Sequence, residues 1–209
     1  GDDTGMMLWV WILLSAGGAA MKILKNRLIA LLLCVLVVIG STLLTTNIKL
    51  GREAEKVSDG FYKGVTYSGY KHPAIAEQLN NICGAADGLA SLVAKYGYDV
   101  VTLKQCSVEL KSMLDQRSSA YTTVYAKFRE LLDCIETLKL EYSGLGLSKR
   151  DTSGVEQYLS TVSNATVVIG DSGYNDSVHE FKRSYLERFP AGILARLSGV
   201  DAPELFARA

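Results

Sequence analysis

Nineteen consecutive residues, Leu28 to Thr46 (LIALLLCVLVVIGSTLLTT), carry no charge. About 20 apolar residues wound as a helix span the hydrocarbon core of a bilayer, so this block constrains the chain more than any other feature. Lys22, Lys25 and Arg27 precede it, and Asn47, Lys49 and Arg52 follow. A buried core helix would keep a polar edge, which this run lacks. It is longer than a signal-peptide core of roughly 7–15 residues and does not end in an A-x-A pattern. Cys34 follows three leucines instead of the small residue that lipid attachment wants. The expectation is a transmembrane helix over residues 28–46 with the lipid bilayer as its partner. The positive charges before it favour a cytoplasmic start under the positive-inside rule. The domain over residues 47–209 would then be extracytoplasmic.

A second apolar stretch, Met6 to Ala20, is short and ends in small residues. Two readings stand for residues 1–20. They form a second, short span joined to the first by the basic turn Lys22 to Arg27, or they lie upstream of a start at Met21. The sequence MKILKNRLIALLLC favours Met21, which makes 21–46 a basic leader and single-pass anchor at the cell membrane.

The 22 Lys and Arg balance 22 Asp and Glu. Nucleic-acid binders carry a basic surplus to neutralise phosphates, so no nucleic-acid partner is expected. Only 3 prolines occur, which suits long uninterrupted helices because an interior proline removes a backbone donor.

Beyond the anchor, the pattern is helical. The membrane helix is expected to run on through REAEKVSDGFYKG and break between Gly64 and Tyr70. Pro73 suits the first turn of the next helix. There, Ile75, Ile82, Leu89 and Tyr96 form one row, and Leu79, Ala86 and Val93 its neighbour. Thr102 with Gln105 fits a capping box. It opens a predicted 40-residue rod carrying Leu114, Tyr121, Phe128, Ile135 and Tyr142 on one row. Leu110, Val124, Leu131 and Leu138 form the other, with Arg117 as the single polar interruption. Ser153 with Glu156 fits a second capping box. It precedes Val155, Tyr158, Leu159, Val162 and Ile169 at helical spacing, with a strand over TVSNATVVI as the alternative. A kink is expected at Gly170 to Gly173, then a helix through Tyr174, Val178, Phe181 and Tyr185 that stops before Pro190. Two short amphipathic pieces, GILARL and PELFAR, close the chain. The fold class expected is all-α: a transmembrane helix followed by an antiparallel bundle of three to four long helices.

Chemistry-bearing patterns are sparse. No two of Cys34, Cys83, Cys106 and Cys134 make a CxxC pair, so zinc and thioredoxin-like readings lack support. Cys83, Cys106 and Cys134 are expected as buried packing thiols; a single disulfide among them remains open in an oxidising compartment. His179-Glu180 does not extend to HExxH, because Arg183 stands where the second histidine would be. His72 and His179 are read as surface residues. Asp171, Gly173, Asn175 and Asp176 begin like a calcium loop, but Asp176 replaces its glycine and Lys182 its closing glutamate. Asn164-Ala-Thr and Asn175-Asp-Ser match glycosylation sequons by chance. No nucleophile elbow, P-loop or dinucleotide fingerprint occurs. The expectation is no enzyme, no cofactor and no metal.

The stretch GYNDSVHEFKRSYLERFPAGILARLSGVDAPELFA resembles the end of the LemA family. These are bacterial proteins with an N-terminal membrane helix, a helical bundle and no established activity. The residues that carry the likeness are Tyr174, Asn175, Val178, Phe181, Phe189, Pro190, Ala195, Gly199 and Phe206. The family's Tyr-Asn-x-Leu after the membrane helix is absent here, so the chain reads as a divergent LemA-like protein. Tyr174, Asn175, Phe189 and Pro190 are family-motif positions without an assigned role. The residue chemistry reads Tyr174 and Asn175 as a helix restart, with the asparagine bonding nearby backbone.

Two functions are carried forward. The first is a non-enzymatic, membrane-anchored interaction or scaffold protein of the bacterial envelope, with protein partners or self-association. The second is an extracytoplasmic sensory bundle that takes a small ligand near Gly170 to Gly173, lined by Tyr158, Tyr174 and Asn175.

Overall fold

The computed structural model describes residues 27–67 and 69–207. The readings of residues 1–20, Lys22 and Lys25 lie outside those residues. The protein is mostly helical. α1 runs without a break from Arg27 to Lys63, so the apolar run and the REAEKV segment are one helix. It is followed by a short hairpin of β1, Val65–Tyr67, and β2, Tyr70–His72. Then come α2, Ile75–Val93, α3, Val101–Asp115, α4, Tyr121–Glu141, and α5, Lys149–Gly170. Two shorter helices close the chain, α6, Tyr174–Phe181, and α7, Ala191–Leu197.

α1 is long and apolar enough to cross a membrane, and none of its most apolar window is buried. Residues 31–42 are exposed on every side. Below them the helix becomes one-sided: Leu50 and Phe61 are buried, with Val57 half-buried between them.

The all-α expectation needs one correction. β1 and β2 pair antiparallel in the register Val65 with His72 and Tyr67 with Tyr70. Gly64 makes the corner before them. Its φ of +81° lies in the left-handed region, and a Cβ there would run into the carbonyl oxygen of His72. Only glycine enters that region without steric cost. The missed signal was Ser68-Gly69 between Val-Thr-Tyr and Tyr-Lys-His, a two-residue turn flanked by β-formers.

The expected 40-residue rod is two helices. The chain reverses over Gln116–Ala120, where Arg117 takes a left-handed φ of 49° and its N–H bonds back to Leu114. The reversal brings Glu109 to Lys127 at 2.9 Å and Cys106 to Cys134 at 4.0 Å between sulfurs. The seven-residue rows are correct as core positions, since Leu110, Leu114, Tyr121, Val124, Phe128, Leu131, Ile135 and Leu138 are all buried. Periodicity carried across the turn because Leu114 and Tyr121 happen to be seven apart.

Both proposed capping boxes fall elsewhere. α3 starts at Val101, whose N–H bonds the Asp99 carboxylate, and Gln105 bonds Glu109 within the helix. α5 is capped by Ser148, which accepts from the Asp151 N–H, and Ser153 lies inside it. Pro73 precedes the Ala74 cap of α2 instead of opening the helix. The described part of PELFAR, Pro203 to Ala207, is not helical. The β-branched TVSNATVVI stretch is helix, because Val155, Val162, Ala165 and Ile169 make a buried stripe against the core.

α2 is the central helix, packing against both α3 and α5. Small residues allow the second contact: Gly88 sits against the Tyr158 ring and Gly154 against Leu92. At the far end Tyr96 donates to Asp151 at 2.5 Å. Against α3, the buried Ser107 hydroxyl lies 2.9 Å from the Asp87 carboxylate.

Candidate functional site

The densest assembly of distinctive side chains lies where α1 meets the start of α4 and the start of α6. Phe61 is wholly buried. Its ring stacks on Tyr121 at 4.4 Å and meets Tyr174 edge-on at 5.8 Å. Phe206, from the tail, closes the cluster at 5.4 Å from Phe61 and 5.2 Å from Tyr125. Offset and edge-to-face pairs at these separations add to the area that each ring buries.

Three of the phenols donate to backbone carbonyls. Tyr174 donates to the Glu204 carbonyl at 2.9 Å. Tyr121 donates to the Ser58 carbonyl at 3.1 Å, and Tyr62 to the Ser118 carbonyl at 3.0 Å. Burial raises the pKa of Tyr174 and of Tyr121, and pushes Tyr62 up to about 12 with help from neighbouring Tyr121. These groups stay protonated at neutral pH. They hold structure and do not serve as bases there.

Asn175 does more than restart a helix. Its Nδ2 donates to the Phe206 carbonyl at 3.1 Å, and its Oδ1 accepts from the Phe206 N–H at 2.9 Å. The asparagine thus mimics a strand neighbour for a tail residue 31 positions away, where a bond to nearby backbone was expected. Thr122 adds two donors to the Glu204 carboxylate, each at 3.3 Å. Tyr174 and Asn175 are therefore clamps on the tail. Phe189 and Pro190 stand apart from them, exposed in the turn that leads into α7.

Tyr158 lies beside Gly88 between α2 and α5. It is 16 residues before Tyr174, with about half of α5, roughly 18 Å of helix, between them, and neither cleft near α6 takes in all three of Tyr158, Tyr174 and Asn175. Two clefts do exist. One, of about 340 Å³, lies between α1, β1 and α6 and includes Glu53, Lys56, Ser177, Glu180 and Tyr185. Its neighbour, of about 530 Å³, is lined by Thr66, Tyr67, Asp176, His179, Glu180 and Arg183. Among the described residues, no three His, Cys, Asp or Glu side chains converge as a metal site would require.

The thiols are unpaired among the described residues. Burial pushes Cys83 up to about 11, and burial together with the nearby Cys134 pushes Cys106 up to about 11. The thiolate is the reactive form, and an ordinary thiol titrates near 8.5. Alkylation of the folded protein at neutral pH should therefore be roughly a hundredfold slower at Cys83 and Cys106 than in the denatured chain. Mass-spectrometric mapping of iodoacetamide adducts checks this; equal rates in both states would contradict the buried placement.

No family model matches the chain, and no curated protein or solved structure matches it either.

Proposed function

We propose that the protein is a non-enzymatic, membrane-anchored interaction or scaffold protein of the bacterial envelope, LemA-like in layout. One observation carries this reading. Residues 31–42 of α1 are exposed on every side and uncharged, yet continuous with a helix that packs into the body. A soluble protein would lose solubility by exposing so much apolar surface, whereas lipid is its natural surroundings. The finer reading of α2 to α5 as an antiparallel bundle draws support from the contact registers. Gly88 meets Tyr158, Leu92 meets Gly154, and Tyr96 meets Asp151, so one number rises as the other falls.

The groove between α4 and α5 supports a contact role. Leu132, Ile135, Leu159 and Val162 line it, and Val167 at its edge is 60% exposed. A bundle with a finished surface would cover Val167. A photo-crosslinking residue in place of Val167 should give a protein adduct in cells. No adduct, together with a strictly monomeric purified protein, would sink the scaffold reading.

The sensory alternative rests on the cleft between α1, β1 and α6, which mixes charged and hydroxyl groups. It predicts thermal stabilisation by a small molecule; a broad screen without a shift would count against it.

Topology is tested directly. Reporters active only inside or only outside the cytoplasm are fused after Ala209, once on the full chain and once with translation started at Met21. Activity of the outside reporter is the expected result. A cytoplasmic signal would reverse the orientation and move the search for partners to the cell interior.

A further inference from the structure

α6 and α7 run back along α1 toward its apolar end. Ser177 and Tyr185 share a cleft with Lys56 and Val57 of α1. Further on, Asn47 Nδ2 donates to the carbonyl of Ser198, the residue that ends α7, at 2.5 Å. Asn47 directly follows Thr46, the last residue of the uncharged run. α7 packs on α1, and α1 becomes one-sided at this level: Leu43 and Thr46 are half-buried and Leu50 is buried, at the three- and four-residue spacing of a single face. α7 therefore sits at the boundary between the apolar run and the polar part of the helix.

The rotation of α7 is fixed by small residues. Gly192 and Ala195 are buried, and a Cβ on Gly192 would run into the Leu186 carbonyl oxygen. The opposite face carries Ile193 and Leu197, one turn apart, at 53% and 67% exposed. Phe189, in the turn just before α7, is 80% exposed. Arg188 and Arg196 are exposed beside them, as are Lys49 and Arg52 on α1. Amphipathic helices that lie in the membrane interface bury such an apolar face at the headgroup boundary, and long basic side chains reach from there to water and phosphate.

We infer that Phe189, Ile193 and Leu197 form a second, monotopic membrane contact, resting on the lipid surface beside the α1 span. This inference depends on α1 being a span. The occupant is lipid because the patch is continuous with the apolar run of α1 and held at its end.

The test uses the full chain with Trp9→Phe and Trp11→Phe, reconstituted in vesicles of phosphatidylcholine and phosphatidylglycerol. Single tryptophans are introduced by Leu36→Trp in α1, Ile193→Trp in α7 and Tyr70→Trp in β2. Tyr70 is 75% exposed and follows α1 at its far end; Lys63 lies roughly 25 Å along the helix from Thr46 at 1.5 Å per residue. Lipids brominated high on the acyl chain should remove most of the emission of the Leu36→Trp and Ile193→Trp proteins and leave that of Tyr70→Trp. Phe189→Trp, an aromatic exchange that folding tolerates readily, repeats the α7 reading. Quenching at Leu36→Trp without quenching at either α7 position would overturn the monotopic contact and leave the span intact. Protection of the α7 positions from aqueous iodide without lipid quenching would also overturn it, since a protein surface would then be the cover. Loss of quenching at Leu36→Trp itself would overturn the span and this inference with it.

Discussion

Phe61→Ala should lower the unfolding free energy by about 3–5 kcal/mol, the range for emptying a fully buried aromatic site. Phe61 is in ring contact with four aromatic residues from three other parts of the chain: Tyr62 beside it, Tyr121 at the start of α4, Tyr174 at the start of α6, and Phe206 in the tail. Its removal leaves a void that none of the three tyrosine rings fills without giving up its hydrogen bond. Tyr121 and Tyr174 are pinned by their bonds to Ser58 and Glu204, so the site collapses poorly. Denaturant unfolding of the purified chain in detergent, followed by tyrosine near-ultraviolet dichroism, reads the effect. A loss below about 1 kcal/mol would mean that the cluster repacks freely, and the pinning argument would fail. Tyr174→Phe is the graded companion. It keeps the ring and removes only the bond to Glu204, so about 1 kcal/mol is expected.

Gly64→Ala should cost about 2–5 kcal/mol. Two penalties combine at this position. A left-handed φ costs an L-residue roughly 1–2 kcal/mol, and overpacking against fixed atoms typically costs 1–3 kcal/mol. The opposing atom is the His72 carbonyl oxygen, backbone held by the β1–β2 pairing, so it cannot swing aside as a side chain would. Gly64→Asn separates the two terms. Asparagine tolerates the left-handed region, yet its Cβ meets the same oxygen, so it should recover no more than about 1 kcal/mol. Full recovery by asparagine would show that the steric contact is relieved by a small shift of the hairpin. The contrast with Gly88 is instructive. A methyl there meets the ring of half-buried Tyr158, which has room to rotate, and the cost should be smaller.

Helical period located the core well and the chain path poorly. The apolar rows are buried as their spacing implied, except that Tyr96 and Tyr142 at their ends are half-buried and Arg117 is exposed, because burial of a stripe is a local property that spacing encodes. The reversal at Arg117 was hidden because a turn of the right length leaves the seven-residue rhythm intact. Its one trace was the polar residue in an apolar row, within the polar run Gln-Arg-Ser-Ser. The capping boxes misled for a related reason. Thr-x-x-Gln and Ser-x-x-Glu also occur inside helices, and Asp99 and Ser148 were the residues with backbone donors to satisfy. The tail clamp was illegible. Nothing in the local pattern around Asn175 points to a partner 31 residues later, since that bond exists only once α6, α7 and the tail have folded back along α1. Tyr174 and Asn175 stand out in the sequence only as positions without an assigned role, and the structure makes them clamps on the tail.

The pairing of Phe61 with Phe206 also sets an order of events. A ring at the end of α1 is completed by one that follows every other described helix in the chain. Until Phe206 leaves the ribosome, Asn175 has no strand-like partner and the aromatic wall of α1 has no lid. The helices α2 to α5, whose contacts are mostly between neighbours in sequence, can assemble during translation. The seam over Phe61, at the end of α1 far from its apolar run, closes only once Phe206 has emerged, and its long loop carries the larger entropic cost. A nascent chain stalled before Glu204 would therefore present an assembled α2 to α5 body beside an open aromatic seam at Phe61, the surface a chaperone or protease would meet first.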